Sequence, residues 1–296
     1  MRRVIPLDRL PGADRDASTR EEPALVKPPV LTGVVERRLL VNYALDVDVA
    51  ARLLPAPFRP QVVSGHAVAG VCLIRLGCLR PRGLPAIVGV RSENAAHRFA
   101  VEWDTPGGPA QGVFIPRRDT NALLNTLIGG RLFPGRHHRA SVHVDESASG
   151  VRVGFESVDG FASVDVSVTP GTFASNLFGD LDEASNFFER GCAGFSATDR
   201  LGIFDGLELR TDEWRVEPME VGRVRSSYFD DPARFPPGSA RLDHALLMRD
   251  VSVTWHPLGR SAIPRGNVAS ETAHRRGQRA KNEQWAARGS NPRPWD

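Results

Sequence analysis

Alternating hydrophobic and polar residues dominate the middle of the chain and predict β-strands. Residues 34–43 alternate, with Val35, Leu39, Val41 and Tyr43 on one face of the predicted strand. Turn residues between several later stretches favour antiparallel pairing. These further strand-rich stretches are 67–79, 87–103, 112–116, 136–144, 151–157, 161–169, 207–215, 221–228 and 251–256.

Three short segments have a helical pattern and stop at glycine or proline: 46–54, 119–128 and 182–190. Asp46 and Asp119 are suitable N-caps for the first two. Residues 241–248 are predicted to be helical or turn-like. Many strands with few short helices predict an α+β protein of mainly antiparallel β-structure, either a barrel or a sandwich.

The two ends of the chain differ from this middle part. Residues 1–29 are polar and charged and predict a flexible leader, and residues 260–296 lack periodicity and predict a disordered basic tail. Residues 30–259 predict one domain that can bury a sizeable core. No apolar run approaches the roughly 18 residues of a spanning helix. The N-terminus also lacks the apolar stretch of a secretory signal, so we predict a cytoplasmic protein without a membrane partner.

The formal net charge of +3 is unevenly distributed. The tail has eight basic against three acidic residues, which leaves the middle domain mildly acidic. We therefore predict no nucleic-acid partner except through the tail. Three cysteines without a CxxC pair disfavour both a disulfide framework and a zinc site, and neither a phosphate loop nor a nucleophile elbow occurs. We predict no cofactor and no metal.

Three segments, in this order, resemble the acetoacetate decarboxylase superfamily. Residues 41–58, VNYALDVDVAARLLPAPF, are similar to its opening strand, short helix and Leu-Pro turn. Residues 130–136, GRLFPGR, are a second point of similarity. Residues 242–249, LDHALLMR, together with Trp255, resemble an uncharacterised branch of the superfamily. The resemblance implies a closed, cone-like antiparallel barrel with a buried pocket and a few flanking helices.

The catalytic lysine of that superfamily has no counterpart here. Its decarboxylases form a Schiff base on the first of two adjacent lysines that follow a Tyr-Pro pair. The matching stretch, FPGR at 133–136, offers a glycine without a side chain and an arginine that stays protonated. The two lysines of the chain, Lys27 and Lys281, lie near its ends. The resemblance therefore implies a barrel that does not use Schiff-base decarboxylation.

Charged residues on the stretch 87–103 are the first candidates for a site. If this stretch is one regular strand, Arg91, Glu93 and His97 point to the same side as its apolar residues. Glu93 best matches a glutamate that the superfamily uses upstream of its lysines, so it is a candidate proton carrier, and Arg91 a candidate anion ligand. The alternative is a turn near residues 92–94, which would place Glu93 in solvent.

Two further candidates lie on the stretch 136–144, and one on the first strand. Arg136 and His138 share a face with three apolar residues and are expected at the pocket mouth. Arg136 could clamp a carboxylate, and His138 could transfer a proton. The alternative is a solvated strand end. Arg37 lies among apolar residues near a point where the decarboxylases have an arginine, although the straightest alignment places Glu36 there.

Asp243 and His244 could suggest a catalytic pair, but two sequential residues seldom form one, and we expect a packing segment instead. The combined hypothesis is a protein that binds a small organic anion, a carboxylate or keto acid. It acts either as a binding protein or as an enzyme that transfers protons without a Schiff base. The alternative is a non-catalytic sensing or interaction module whose basic tail contacts nucleic acid. A homo-oligomer is left open.

Overall fold

The computed structural model describes residues 28–122, 137–198 and 202–258. Within them the chain forms thirteen strands, a 3₁₀ turn at Ala86–Val88 and two α-helices, α1 (Val47–Leu53) and α2 (Leu181–Arg190). The strands are β1 (Leu31–Leu45), β2 (Arg59–Pro60), β3 (Val62–Val63), β4 (His66–Pro81), β5 (Val90–Thr105), β6 (Gly108–Thr120), β7 (His137–Ser147), β8 (Gly150–Ser157), β9 (Ser163–Pro170), β10 (Ala193–Ala197), β11 (Phe204–Arg210), β12 (Glu217–Ser226) and β13 (Ala240–Leu258).

The strands form one large curved sheet whose hydrogen bonding closes on itself. The order β1, β4, β5, β6, β7, β8, β9, β12, β13 returns to β1. A second path leads from β6 through β10 and β11 back to β13. Pairing is antiparallel except where β6 runs parallel to β7 and to β10. The predicted α+β class with mainly antiparallel strands is confirmed.

Strands β13, β1, β4, β5 and β6 belong to both paths, and we call them the central strands. Successive residues of a strand point to opposite sides, so these strands have two faces. The ring face carries Leu39 and Leu73 and packs against β7, β8, β9 and β12. The helix face carries Leu40 and Cys72 and packs against α2, β10 and β11. Both faces are therefore covered by other elements.

The two helices begin and end close to where the sequence predicts them. The Asp46 carboxylate accepts the backbone N–H of Val49 at 3.0 Å and caps α1. Asp180 caps α2 in the same way, through the N–H of Glu183 at 2.8 Å, and Gly191 follows its last turn. Each cap satisfies a backbone donor that a helix leaves free at its start.

Several local expectations and alternatives are wrong, including the grouping of Val35 with Leu39 on one face, because an irregularity in β1 follows Val35. Asp119 is in β6 rather than at a helix start, and residues 123–136 lie outside the described residues. Residues 241–248 belong to β13, because a strand covered on both faces can carry consecutive apolar residues that resemble a helical pattern. The suggested turn near 92–94 does not form, and β5 runs through it.

The predicted leader and tail lie outside the described residues, apart from residues 28 and 29 of the leader. Of the helices in the described part of the chain, none is long and apolar enough to cross a membrane.

Candidate functional site

Two of the predicted site residues, Arg37 and Glu93, meet on the ring face. Arg249, Arg37, Arg75 and Glu93 lie side by side across β13, β1, β4 and β5. Arg37 Nη2 is 2.6 Å from Glu93 Oε2, and Arg75 Nε is 2.5 Å from Glu93 Oε1. Glu146 on β7 joins them, 3.2 Å from Arg37 and hydrogen-bonded to Arg249. We call these five residues the paired row.

The paired row neutralises most of its own charge. Arg37 is only 1% exposed, and both of its terminal nitrogens contact carboxylates. Burial works against the charge of Glu146, but hydrogen bonds from Arg249 and Arg37 outweigh it and hold the pKa of this carboxyl below its ordinary value. Three guanidinium groups and two carboxylates thus form an ion-pair network, in which Arg37 Nε is buried without a hydrogen-bond partner among the described residues.

The other predicted residues do not join this group. The Arg91 side chain is 64% exposed and pairs with Glu36 at 2.7 Å, because Arg91 lies at the end of β5, where the register with β4 shifts. His138 lies on β7 with its Nδ1 2.8 Å from Asp159 Oδ2. Arg136 lies outside the described residues. The structure therefore does not bring Arg91 and His138 together with Glu93.

A different set of arginines lies on the helix face. A row here is a set of residues that lie opposite one another on neighbouring strands. Three successive rows of this face each contain one arginine: Arg38 on β1, Arg118 on β6 and Arg98 on β5. All three line one cavity of about 130 Å³ between the central strands and the layer of β10 and β11. Arg98 is 3% exposed, and the other two are half-buried.

These three arginines contact no carboxylate among the described residues, although Asp119, whose carboxylate pairs with Arg117 at 2.8 Å, also lines the cavity. Arg98 donates to Asn42 Oδ1, Arg118 donates through Nε to Ser196 Oγ at 3.2 Å, and Arg38 lies 5.6 Å from the centre of the Trp214 ring. In the part of the chain that the structure describes, these contacts include no carboxylate.

The same arginines also keep unused donors. The Nε atoms of Arg38 and Arg98, and Nη1 of Arg38, are buried without a hydrogen-bond partner among the described residues. Burial lowers the pKa of both Arg98 and Arg118 to about 10, so both are still cationic at neutral pH.

The rest of the cavity wall is mostly apolar. Ile115, Leu207 and Trp255 contribute to it, together with the thiols of Cys72 and Cys192. Burial raises the pKa of the Cys192 thiol, which favours its uncharged form. No group of three histidine, cysteine or acidic side chains within the described ranges could hold a metal. The arrangement is suited to a small molecule with an apolar body and an anionic group.

A buried polar chain leads away from Arg98. Asn42 Nδ2 is 2.9 Å from His244 Nε2, and His244 Nδ1 is 2.6 Å from Asp243 Oδ2. The expectation that Asp243 and His244 only pack is therefore wrong. The register explains why neighbours can meet: Asn42 lies opposite His244 while Tyr43 lies opposite Leu242, so Asp243 is the extra residue of a β-bulge.

Sequence reasoning missed the helix-face arginines. Arg38 and Arg98 each follow a residue that was singled out, Arg37 and His97, and therefore point to the opposite face of the same strand. Arg118 directly precedes Asp119, which the sequence pattern places at a helix start. The available signal was a strand with charged residues at consecutive positions, which indicates that both of its faces carry polar groups.

Solved structures with the same fold exist. Acetoacetate decarboxylase from Legionella pneumophila aligns with a TM-score of 0.52 at 11% identity, covering 86% of this chain and 97% of that chain. An acetoacetate decarboxylase-like enzyme from Sphingomonas wittichii aligns with a TM-score of 0.50 at 16% identity, covering 84% of this chain and all of that chain. At such identities the likeness is one of fold, and it confirms the acetoacetate-decarboxylase-like architecture that the sequence motifs imply.

Comparison of the sequence with known proteins gives a family assignment. Among curated proteins, none matches it significantly. The DUF2071 family, described as an uncharacterized conserved protein, matches residues 34–245. The matched span is well over half of the chain and contains Arg38, Arg98 and Arg118. The chain therefore belongs to the DUF2071 family.

Proposed function

We propose that this protein binds a small organic carboxylate in the cavity on the helix face. The observation that carries this proposal is the set of three arginines, Arg38, Arg98 and Arg118, without carboxylate partners among the described residues. Burying an ion costs several kcal/mol unless an opposite charge and hydrogen bonds offset the cost. A bound anion would supply both, because its oxygens accept hydrogen bonds from the guanidinium groups.

The shape and lining of the cavity support a carboxylate with a small apolar body. A guanidinium presents its donors in a planar fork that matches the two oxygens of a carboxylate. Ile115, Leu207 and Trp255 provide apolar surface for the remainder of the ligand. A volume of about 130 Å³ suits a molecule of several non-hydrogen atoms rather than a nucleotide.

If the protein also converts its ligand, we propose proton transfer on a carbonyl compound without an imine. The sequence contains no lysine between positions 28 and 280 that could form one. Glu93 is engaged by Arg37 and Arg75 on the opposite face, and His138 is paired with Asp159. Neither contact supports the roles expected for these residues from the sequence, so binding is the better-supported half of the proposal.

Calorimetric titration tests the proposal with charged and neutral probes of matched shape. Pyruvate, acetoacetate and benzoate are each titrated into the full chain, with acetone and benzamide as the neutral counterparts. We expect at least one carboxylate to bind and to raise the melting temperature, and the neutral probes to do neither. A stronger response to the neutral probes, or no response to any carboxylate, would overturn the proposal.

An arginine variant assigns any binding to this cavity. Arg118→Met is expected to weaken carboxylate binding by about tenfold or more, because it removes a charge-assisted hydrogen bond. Arg152→Met is the matched control, since Arg152 is 59% exposed and pairs with Asp165 elsewhere. Equal affinities in the two variants would contradict the assignment. Borohydride treatment in the presence of pyruvate should leave no adduct on residues 28–258.

A further inference from the structure

One cross-strand row connects the cavity to the interior of the protein. His244 on β13, Asn42 on β1, Gly70 on β4 and Arg98 on β5 lie directly opposite one another. Asn42 and Arg98 are separated by a whole strand, and they touch because the residue between them is a glycine. A Cβ atom at position 70 would lie 3.2 Å from Asn42 Oδ1 and 2.3 Å from the carbonyl oxygen of Val41.

The two ends of the row fix the direction of every hydrogen bond in it. Arginine has only donors, so Asn42 must turn its carbonyl oxygen to Arg98 and its amide group to His244. His244 Nε2 must then be the acceptor, which leaves the ring proton on Nδ1. That proton is donated to the Asp243 carboxylate, which has only acceptors when ionised. The row therefore requires a neutral His244 protonated on Nδ1.

This row is sealed from solvent. Asn42, Arg98 and His244 are 0%, 3% and 4% exposed. Three rings surround the His244 imidazole, with centroids 5.4–5.8 Å away: Phe173, Phe178 and Phe188. In such surroundings hydrogen bonds are strengthened and water competes little for the polar groups, so the geometry is held in one arrangement.

The carboxylate at the end of the row is itself held in place. Asp243 accepts hydrogen bonds from the Ser175 hydroxyl and from the backbone N–H of Asn176 at 2.7 Å. Burial opposes its charge, but the hydrogen bonds from His244, Ser175 and Asn176 hold the pKa of this carboxyl below its ordinary value. A negative charge is thus fixed at the far end of the chain of hydrogen bonds that begins at Arg98.

We propose that Asp243 and His244 are positioning residues that act through Asn42 to hold the Arg98 guanidinium in place for an anionic ligand. The inference rests on the proposed function, because Arg98 is taken to contact the ligand. Asn42 binds one terminal nitrogen of Arg98, and Phe188 stacks against its guanidinium at 4.8 Å. An arginine fixed in this way need not be ordered when the ligand arrives, which favours affinity.

A ligand-free measurement tests the row by itself. Nitrogen-15 NMR of the full chain at neutral pH should show His244 as the neutral tautomer protonated on Nδ1. The Nε–Hε signal of Arg98 is identified by its absence from the spectrum of the Arg98→Met variant. This group should be rigid on the nanosecond timescale in the wild type and in a control variant, Asp230→Asn. It should become mobile in Asp243→Asn. Protonation on Nε2 in the wild type, or a rigid Arg98 in Asp243→Asn, would overturn the proposal.

A double-mutant cycle with benzoate tests the coupling to binding. Asp243→Asn should weaken benzoate binding by about tenfold, the effect of losing one well-placed charge-assisted contact. In the Arg98→Met background the same change should have no further effect, because the residue on which it acts is gone. A loss of equal size in both backgrounds would indicate general loosening and would overturn the proposal.

Asp230→Asn is the control for this cycle, since the Asp230 carboxylate accepts a hydrogen bond from the backbone N–H of Ser226, at the end of β12 and away from the row. It should leave benzoate affinity unchanged. If the wild type binds no carboxylate, the proposed function fails, while the NMR result still decides whether Asp243 and His244 position Arg98.

Discussion

The two faces of the central strands use arginine in opposite ways. In the paired row of the ring face, each arginine meets a carboxylate of Glu93 or Glu146. On the helix face, Arg38, Arg98 and Arg118 meet none among the described residues. Burial does not separate the two sets, because Arg37 and Arg98 are both almost fully inaccessible. The presence or absence of a counter-charge separates them.

The contrast distinguishes an arginine that holds the fold together from one that is available to a ligand. Arg37 and Arg38 are consecutive residues of one strand, yet they belong to different sets because neighbours on a strand point to opposite faces. Removing a carboxylate from the ring face should lower the free energy of unfolding. Removing an arginine from the helix face should weaken ligand binding. The predictions below test this division.

The largest effect is expected from Glu93→Gln, which breaks the paired row. The change leaves Arg37 buried with one carboxylate contact fewer, and breaking a buried ion pair costs about 3 kcal/mol of unfolding free energy. Urea unfolding measures it. Glu36→Gln is the control, because its partner Arg91 is exposed and such pairs contribute about 1 kcal/mol or less. Equal losses in the two variants would remove the basis for the contrast.

An intermediate effect is expected from His97, a buried polar group of the ring face. Neither ring nitrogen has a hydrogen-bond partner among the described residues. Burial, assisted by the charges of Arg117 and Arg234, lowers its pKa to about 3 from an ordinary 6.5. Between these values the unfolded chain binds a proton that the folded chain does not. Folding stability therefore falls as pH drops below 6.5.

Protonation of His97 in the unfolded chain should by itself lower the free energy of unfolding by about 2 kcal/mol between pH 7 and pH 5. His97→Phe should abolish that share of the acid sensitivity, which urea unfolding at the two pH values measures. The same pH dependence in both proteins would mean that His97 is protonated in the fold. The ring face would then hold an unpaired charge, as the helix face does.

The smallest effect on stability is expected from Arg118→Met. Replacing a half-buried charge that contacts no carboxylate among the described residues with an apolar side chain of similar length should leave the free energy of unfolding unchanged to within about 1 kcal/mol, or raise it. Arg37→Met, its counterpart on the ring face, should lower it, because Glu93 and Glu146 lose a partner. Thermal or urea unfolding of the two variants side by side makes the comparison. Similar losses would mean that Arg118 is structural.

Much of the fold could be predicted from alternation and capping residues. The strands around Leu39 and Val41, and the helix capped by Asp46, form where local sequence favours them. The long β13 could not be predicted as one strand, because consecutive apolar residues such as Leu246 and Leu247 face two different layers. Local periodicity carries no information about a second layer.

The candidate site was less predictable, because it depends on register. Glu93 faces the ring side in agreement with the strand parity, but only the alignment of four strands shows that Arg249 and Arg75 lie beside Arg37. Asp243 reaches His244 only because a bulge gives β13 one extra residue. No sequence pattern indicates where such a bulge lies.

Gly70 places an evolutionary constraint on the row that it occupies. Any side chain at this position would bring its first carbon to 2.3 Å from the backbone oxygen of Val41, and a neighbouring strand cannot move away as a flexible side chain can. The contact between Asn42 and Arg98 across β4 therefore leaves one of the twenty amino acids for the position between them. A lineage that retains this contact has to retain the glycine as well, and a lineage that loses the glycine has to find another support for its arginine.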